Sequence, residues 1–195
     1  MSYHIYHTEA IMLGGRAVGE GDRMLYAYTR ELGFVAAHTK SIREGRSKLR
    51  YALQTFAHAE IDLIRGKHGW KLISAHPIDS FSSLWRDPKK RRIIAEHTHL
   101  IRRLIHGEER HELLFDDMLL GLQFIRRLEN EAEVSAAELV LVVRVLSHLG
   151  YWGKGAALAP IFRENVWTIE SLRFANEERT SLLSGVNRAL EASNL

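Results

Sequence analysis

The chain has 195 residues, 46% of them hydrophobic and 26% charged, which is room for one large domain or two small ones. It has no cysteine, which excludes a disulfide framework, a thiolate metal site and a cysteine nucleophile, and no window approaches the roughly 18 apolar residues of a membrane span. The formal net charge of +3 conceals an asymmetry, +8 over residues 1–106 against −5 over the remainder, which points to an anionic partner for the N-terminal part.

The opening residues, MSYHIYHTEAIML, lack the basic segment, apolar core and small-residue cleavage site of a secretory signal, so a cytoplasmic, nucleoid-associated protein without membrane contact is expected. His4 to Leu13 alternates loosely, and Gly14-Gly15 is expected to break that strand. Arg23 to Thr29 is rich in strand formers, and Glu31-Leu32-Gly33 makes a tight connection to Phe34–Thr39. Ser41 to Arg50 is polar and basic and reads as a long loop. In Phe56 to Ile64, Ala57, Ala59, Ile61 and Leu63 share one side, while His58, Glu60 and Asp62 share the other. Gly66-Lys67-His68-Gly69 is a hairpin turn, and Trp70 to Ala75 returns as a strand ending near Pro77. Five short strands of this kind fit a small closed barrel, either OB-type or SH3-like.

After about residue 80 the period changes. Ile93, Ile94, His97, Leu100, Ile101, Leu104 and Ile105 recur at helical spacing, as do Leu113, Leu114, Met118, Leu122, Ile125 and Leu128. Glu108, Glu109 and Glu112 stand near the start of that second helix, where acids suit its positive end. Ser135, with Glu138 three residues on, reads as the capping box of a third helix that stops at Gly150. A loop spans Gly153 to Pro160, and a final helix Glu177 to Ala192. The expected organisation is α+β: a small β-barrel, OB-type or SH3-like, over residues 1–80 and an all-α domain with a short tail over 81–195.

The search for catalysis finds no machinery. The glycine-rich stretch Gly14 to Asp22 lacks the Lys-Ser/Thr of a phosphate loop and lies between strands. Eleven histidines include no HExxH, and His97 and His99 point about 200° apart on a helix. Asp116-Asp117 reads as a solvated helix face, since neighbours on a helix diverge. No Ser lies in a nucleophile elbow. A non-enzyme without cofactors is expected.

The basic constellations say more. Lys40, Arg43, Arg46, Lys48 and Arg50 crowd the long loop, Arg65 and Lys67 flank the hairpin tip, Lys71 follows Trp70, and Arg23 begins the second strand. Cations that neutralise phosphates beside aromatic faces that stack bases are what sequence-tolerant strand binding requires. Trp70, Tyr51 and Tyr28 are the stacking candidates. Lys89-Lys90-Arg91-Arg92 opens the first long helix, where cations oppose the dipole. A nucleic-acid backbone or an acidic protein tail would account for them.

Several stretches resemble the RecO family in order and spacing. Thr8-Glu9-Ala10-Ile11-Met12-Leu13, Gly19-Glu20-Gly21-Asp22-Arg23-Met24-Leu25 and Thr29-Arg30-Glu31-Leu32-Gly33 look like its opening. Lys40-Ser41-Ile42-Arg43 stands where the family has Lys-Gly-Ala-Arg. Arg46-Ser47-Lys48-Leu49 and Ala52-Leu53-Gln54-Thr55-Phe56 are similar to its next segment, and His148-Leu149-Gly150-Tyr151 to its Leu-Gly-Tyr. The resemblance implies an OB domain, a helical domain and a non-catalytic mediator role in recombinational DNA repair. It implies binding to single- and double-stranded DNA, strand annealing, and recombinase loading together with RecR and the C-terminal tail of single-strand-binding protein. Lys89, Lys90, Arg91, Arg92, Arg102 and Arg103 are the expected partner-binding set. The family's four-cysteine zinc module has no counterpart here, so no metal is expected. The alternative is an OB-type protein–protein adaptor with little DNA affinity of its own.

Overall fold

A computed structural model describes residues 4–19, 22–39, 52–105, 107–153, 155, 158–162 and 166–192. The expected loop cations Lys40, Arg43, Arg46, Lys48 and Arg50, with Tyr51, lie outside the described residues. The chain forms two compact units: Met1–Ser82 with His106–Glu112, and Ser83–Ile105 with Leu113–Leu195.

In the first unit five strands, β1 (Ile5–Val18), β2 (Asp22–Thr29), β3 (Gly33–Thr39), β4 (His58–Gly66) and β5 (Gly69–Asp79), close a barrel in the order β1-β2-β3-β5-β4. All neighbours are antiparallel except β3 and β5, which pair in parallel at Ala37↔Trp70 and His38↔Lys71 and complete the circle. This is the OB-type arrangement, in which one long strand serves both halves of the barrel. β1 has that role: Ile5 to Ile11 pair with β4, and Ala10 to Val18 with β2.

Gly14-Gly15 does not end β1, contrary to the expectation from composition. The register with β2 shifts between Met12 and Gly15, and Gly14 has φ +86°. The pair forms a bulge that bends the strand around the barrel instead of stopping it. β5 also runs past the expected Pro77, since the β4 register shifts between His58 and Ala59, where a proline can sit without breaking the ladder. The alternation seen in the sequence fills the interior: Leu25, Ala27, Val35, Ala37, Ala59, Ile61, Leu63 and Trp70 form one core.

The second unit is helical: α1 (Ser82–Arg86), α2 (Pro88–Leu104), α3 (Glu112–Arg127), α4 (Glu131–His148), α5 (Ala159–Phe162), α6 (Ile169–Glu177) and α7 (Arg179–Ala192). α4 is central. Eleven of its eighteen residues are buried, and it packs on α2, α5, α6 and α7. It begins earlier than the Ser135-Glu138 pattern suggested. Asn130 caps it, its Oδ1 accepting the amides of Ala132 (2.8 Å) and Glu133 (3.3 Å). Its end is as expected. Gly150 adopts φ +79°, its amide donates to Ser147 O (3.2 Å) and that of Tyr151 to Leu146 O (2.9 Å), a Schellman closure.

Asp117 corrects another reading. It is buried, and it accepts bonds from Arg144 Nη1 (2.5 Å) and Trp167 Nε1 (2.8 Å) while lying 2.8 Å from His148 Nε2. Burial pushes the carboxyl up, but the His148 and Arg144 bonds and the charge of Arg144 prevail and hold it below the ordinary range.

Candidate nucleic-acid interface

OB-type barrels hold nucleic acid on the outer face of strands 2 and 3 and in the loops after strands 1 and 4. With Leu25, Ala27, Val35 and Ala37 pointing inward, strand alternation turns Met24, Tyr26 and Tyr28 of β2 and Phe34, Ala36 and His38 of β3 outward. Tyr26 and Phe34 are half-buried there, with rings stacked at 6.0 Å and 15°. Lys71 is exposed and continues this face, being in register with His38 across the β3–β5 pair. His38 Nε2 stands 3.3 Å from Asp22.

The aromatic pair Tyr26/Phe34 was not singled out by sequence reasoning. The signal was available, since Tyr26 alternates with the inward Leu25 and Ala27, but it needed the β2–β3 register to bring Phe34 beside it. Tyr28, a stacking candidate, is buried, and its hydroxyl donates to His111 O (3.3 Å). Burial, with the Glu109 carboxylate adding, raises its pKa.

Trp70 is 6% exposed and closes the end of the barrel core. Tyr6 meets it edge-on at 5.0 Å and the Arg65 guanidinium lies 5.3 Å from its ring centroid. Its Nε1 donates to Glu108 Oε1 (2.8 Å), while Glu108 Oε2 accepts from Arg65 Nη1 (3.0 Å). Stacking a base on Trp70 would require these neighbours to move. Glu108 therefore faces the barrel rather than the start of α3, where only Glu112 occupies the first turn. Lys67, at the hairpin tip, is exposed, and Arg23, in register with Ala17 and Thr39, is half-buried.

The basic tetrad of α2 separates by role. Asp87 caps the helix, accepting the amides of Lys89 (2.9 Å) and Lys90 (3.2 Å), which supplies a negative charge at the positive end of the helix beside the cations. Lys90 is buried and donates to Leu128 O (2.6 Å) and Arg126 O (3.3 Å), carbonyls at the end of α3. It is a structural cap, which corrects its assignment to a partner surface. Lys89 reaches Glu131 O (2.9 Å), and Arg92 lies 3.3 Å from Glu96 and 3.6 Å from Glu138. Arg91, Arg102 and Arg103 are exposed.

Among the described residues no group of three or more His, Asp or Glu is placed to hold a metal ion, and no helix is long and apolar enough to cross a membrane. Residues 1–81, the whole barrel, match the family model described as Recombination protein O N terminal. The chain is 36% identical over 83 residues to the DNA repair protein RecO of Heliobacterium modesticaldum and to that of Desulfitobacterium hafniense, 43% of this chain and 30% of each relative. It is 28% identical over 147 residues to the DNA repair protein RecO of Clostridium novyi, covering 75% of this chain and 57% of that one. The matched regions thus span between 30% and 57% of these relatives' lengths.

Proposed function

We propose that this chain, whose N-terminal barrel matches the Recombination protein O N terminal model, serves recombinational DNA repair as a non-catalytic mediator of the RecO kind, holding single-stranded DNA on the β2–β3 face. What carries this reading is that the family match covers the barrel entire, including the face and the hairpin that OB-type proteins use. Tyr26 and Phe34 offer flat faces to bases, Lys71, Lys67 and Arg65 neutralise phosphates, and the loop set Lys40, Arg43, Arg46, Lys48 and Arg50 follows directly after β3. Such a surface binds with weak sequence preference and also admits duplex backbone.

Annealing of complementary strands and help in loading recombinase, with RecR and the tail of single-strand-binding protein as partners, extend this reading. In the helical unit Arg91, Arg102 and Arg103 are the cations to test for the acidic tail. Arg91 and Arg102 lie within about 20° of one another around α2, eleven residues apart at 100° per residue.

Fluorescence anisotropy of a labelled single-stranded DNA, titrated at several salt concentrations, tests the central claim. The expected result is a steep loss of affinity with salt, and a smaller slope when Lys40, Arg43, Arg46, Lys48 and Arg50 are neutralised together. Negligible binding at low salt by the folded protein would remove DNA from the reading and leave a protein–protein adaptor.

A further inference from the structure

We propose that Arg65 and the indole N–H of Trp70 form an anion subsite of the barrel which the chain's own acidic segment, Gly107–Glu112, fills in the absence of nucleic acid, Glu108 standing where a strand phosphate goes. The inference rests on the DNA-binding reading of the barrel and adds its regulation.

The segment reads Gly-Glu-Glu-Arg-His-Glu, three carboxylates against one guanidinium, within a chain that is otherwise basic through residue 106. Glu108 uses both carboxylate oxygens on the barrel, one on Trp70 Nε1 at 2.8 Å and one on Arg65 Nη1 at 3.0 Å. This is the bridging geometry with which a phosphate takes two donors. Both donors sit at the base of the β4–β5 hairpin, in register with each other. From there the segment crosses to the start of β3. Gly33 lies so close to the Glu109 backbone that a Cβ would overlap its carbonyl oxygen, and Tyr28, on the outer side of β2, bonds His111 O. The acidic segment therefore touches both elements to which the proposed function assigns the strand.

Its hold is weak enough to be exchanged. The Arg65 and Glu108 side chains are 60% and 38% exposed, a setting in which an ion pair contributes little. Gly107–His111 contains no helix or strand, so no ladder of backbone bonds fixes it. Exchange of one anion for another leaves neither Trp70 nor Arg65 without a partner, so the buried indole N–H is satisfied in both states. A strand phosphate and Glu108 compete for the same two donors.

Glu108→Gln tests this, since it keeps an oxygen for the indole and removes the charge. Anisotropy with a labelled oligothymidylate at low salt should show Glu108→Gln binding about two- to fivefold more tightly than the unaltered chain, the scale of one exposed charged contact. Adding Arg65→Gln should abolish that gain. Hydrogen exchange at Gly107–Glu112 should quicken when the oligonucleotide is added to the unaltered chain. An unaltered chain that binds DNA, with Glu108→Gln equal or weaker, overturns the subsite while leaving the DNA-binding reading intact, as does unchanged exchange in the bound state. If neither protein binds DNA, the reading of the barrel itself fails and the subsite falls with it.

Discussion

Arg144 and Asp117 meet at 2.5 Å inside the helical unit, the arginine only 1% exposed and the carboxylate almost equally enclosed. The arginine's Nη2 donates to Ile161 O (2.5 Å) and Val166 O (2.9 Å), and its guanidinium lies 4.8 Å from the ring of Trp167. One buried cation thereby fastens the segment after α4 to its centre. Removing its counter-charge strands it, which costs far more than losing a surface pair.

Asp117→Ala should therefore lower the stability of the helical unit by about 3–5 kcal/mol, and Asp117→Asn by less, because the amide oxygen still accepts. Urea unfolding followed by far-ultraviolet circular dichroism checks this. A loss from Asp117→Ala no larger than that of an exposed control such as Glu177→Ala would show that the network is not what holds the segment.

His97 makes the same unit sensitive to acid. It is fully buried in α2, its Nε2 has no hydrogen-bond partner, and burial pushes its pKa down from 6.5 to about 3. Below pH 6.5 the unfolded chain binds a proton that the folded chain refuses, so stability is full above that pH and declines as pH falls toward 3. At pH 5 the decline reaches about 2 kcal/mol from this residue. His97→Leu should flatten the curve between pH 7 and 5. A curve of unchanged slope would assign the acid response to other groups.

The α2 cations should divide by function. Lys90→Met removes the donor to two helix-terminal carbonyls and should cost about 1–3 kcal/mol, whereas Arg91→Ala should stay within about 0.5 kcal/mol. Thermal melts give both values. Conversely, Arg91 combined with Arg102 and Arg103 should govern binding of an acidic tail peptide. Equal stability losses at residues 90 and 91 would contradict the division.

The barrel was largely legible in the chain. The alternation Ala57, Ala59, Ile61, Leu63 and the turn Gly66–Gly69 define β4 and β5, because a period of two and a tight glycine turn are local properties. The helical periods of α2 and α3, and the stop at Gly150, were legible for the same reason. Local reading failed where one sequence signal has two physical outcomes: Gly14-Gly15 can end a strand or bend it, and Ser135 can cap a helix or lie inside one.

The sequence by itself determined where the chain is strand and where helix, the surplus of positive charge in its first half, and, by the order of its motifs, its resemblance to a known family. What each charge does was decided only by tertiary structure. Lys90 and Arg91 are adjacent and alike in charge, yet one caps α3 and the other faces solvent. Asp116 and Asp117 are identical, yet the second is buried against Arg144 while the first is only half-buried. Glu108 serves the barrel rather than the helix it precedes. The reason is that a long polar side chain finds its partner through space, at separations such as the 38 residues between Trp70 and Glu108, and nothing local in a sequence records that distance.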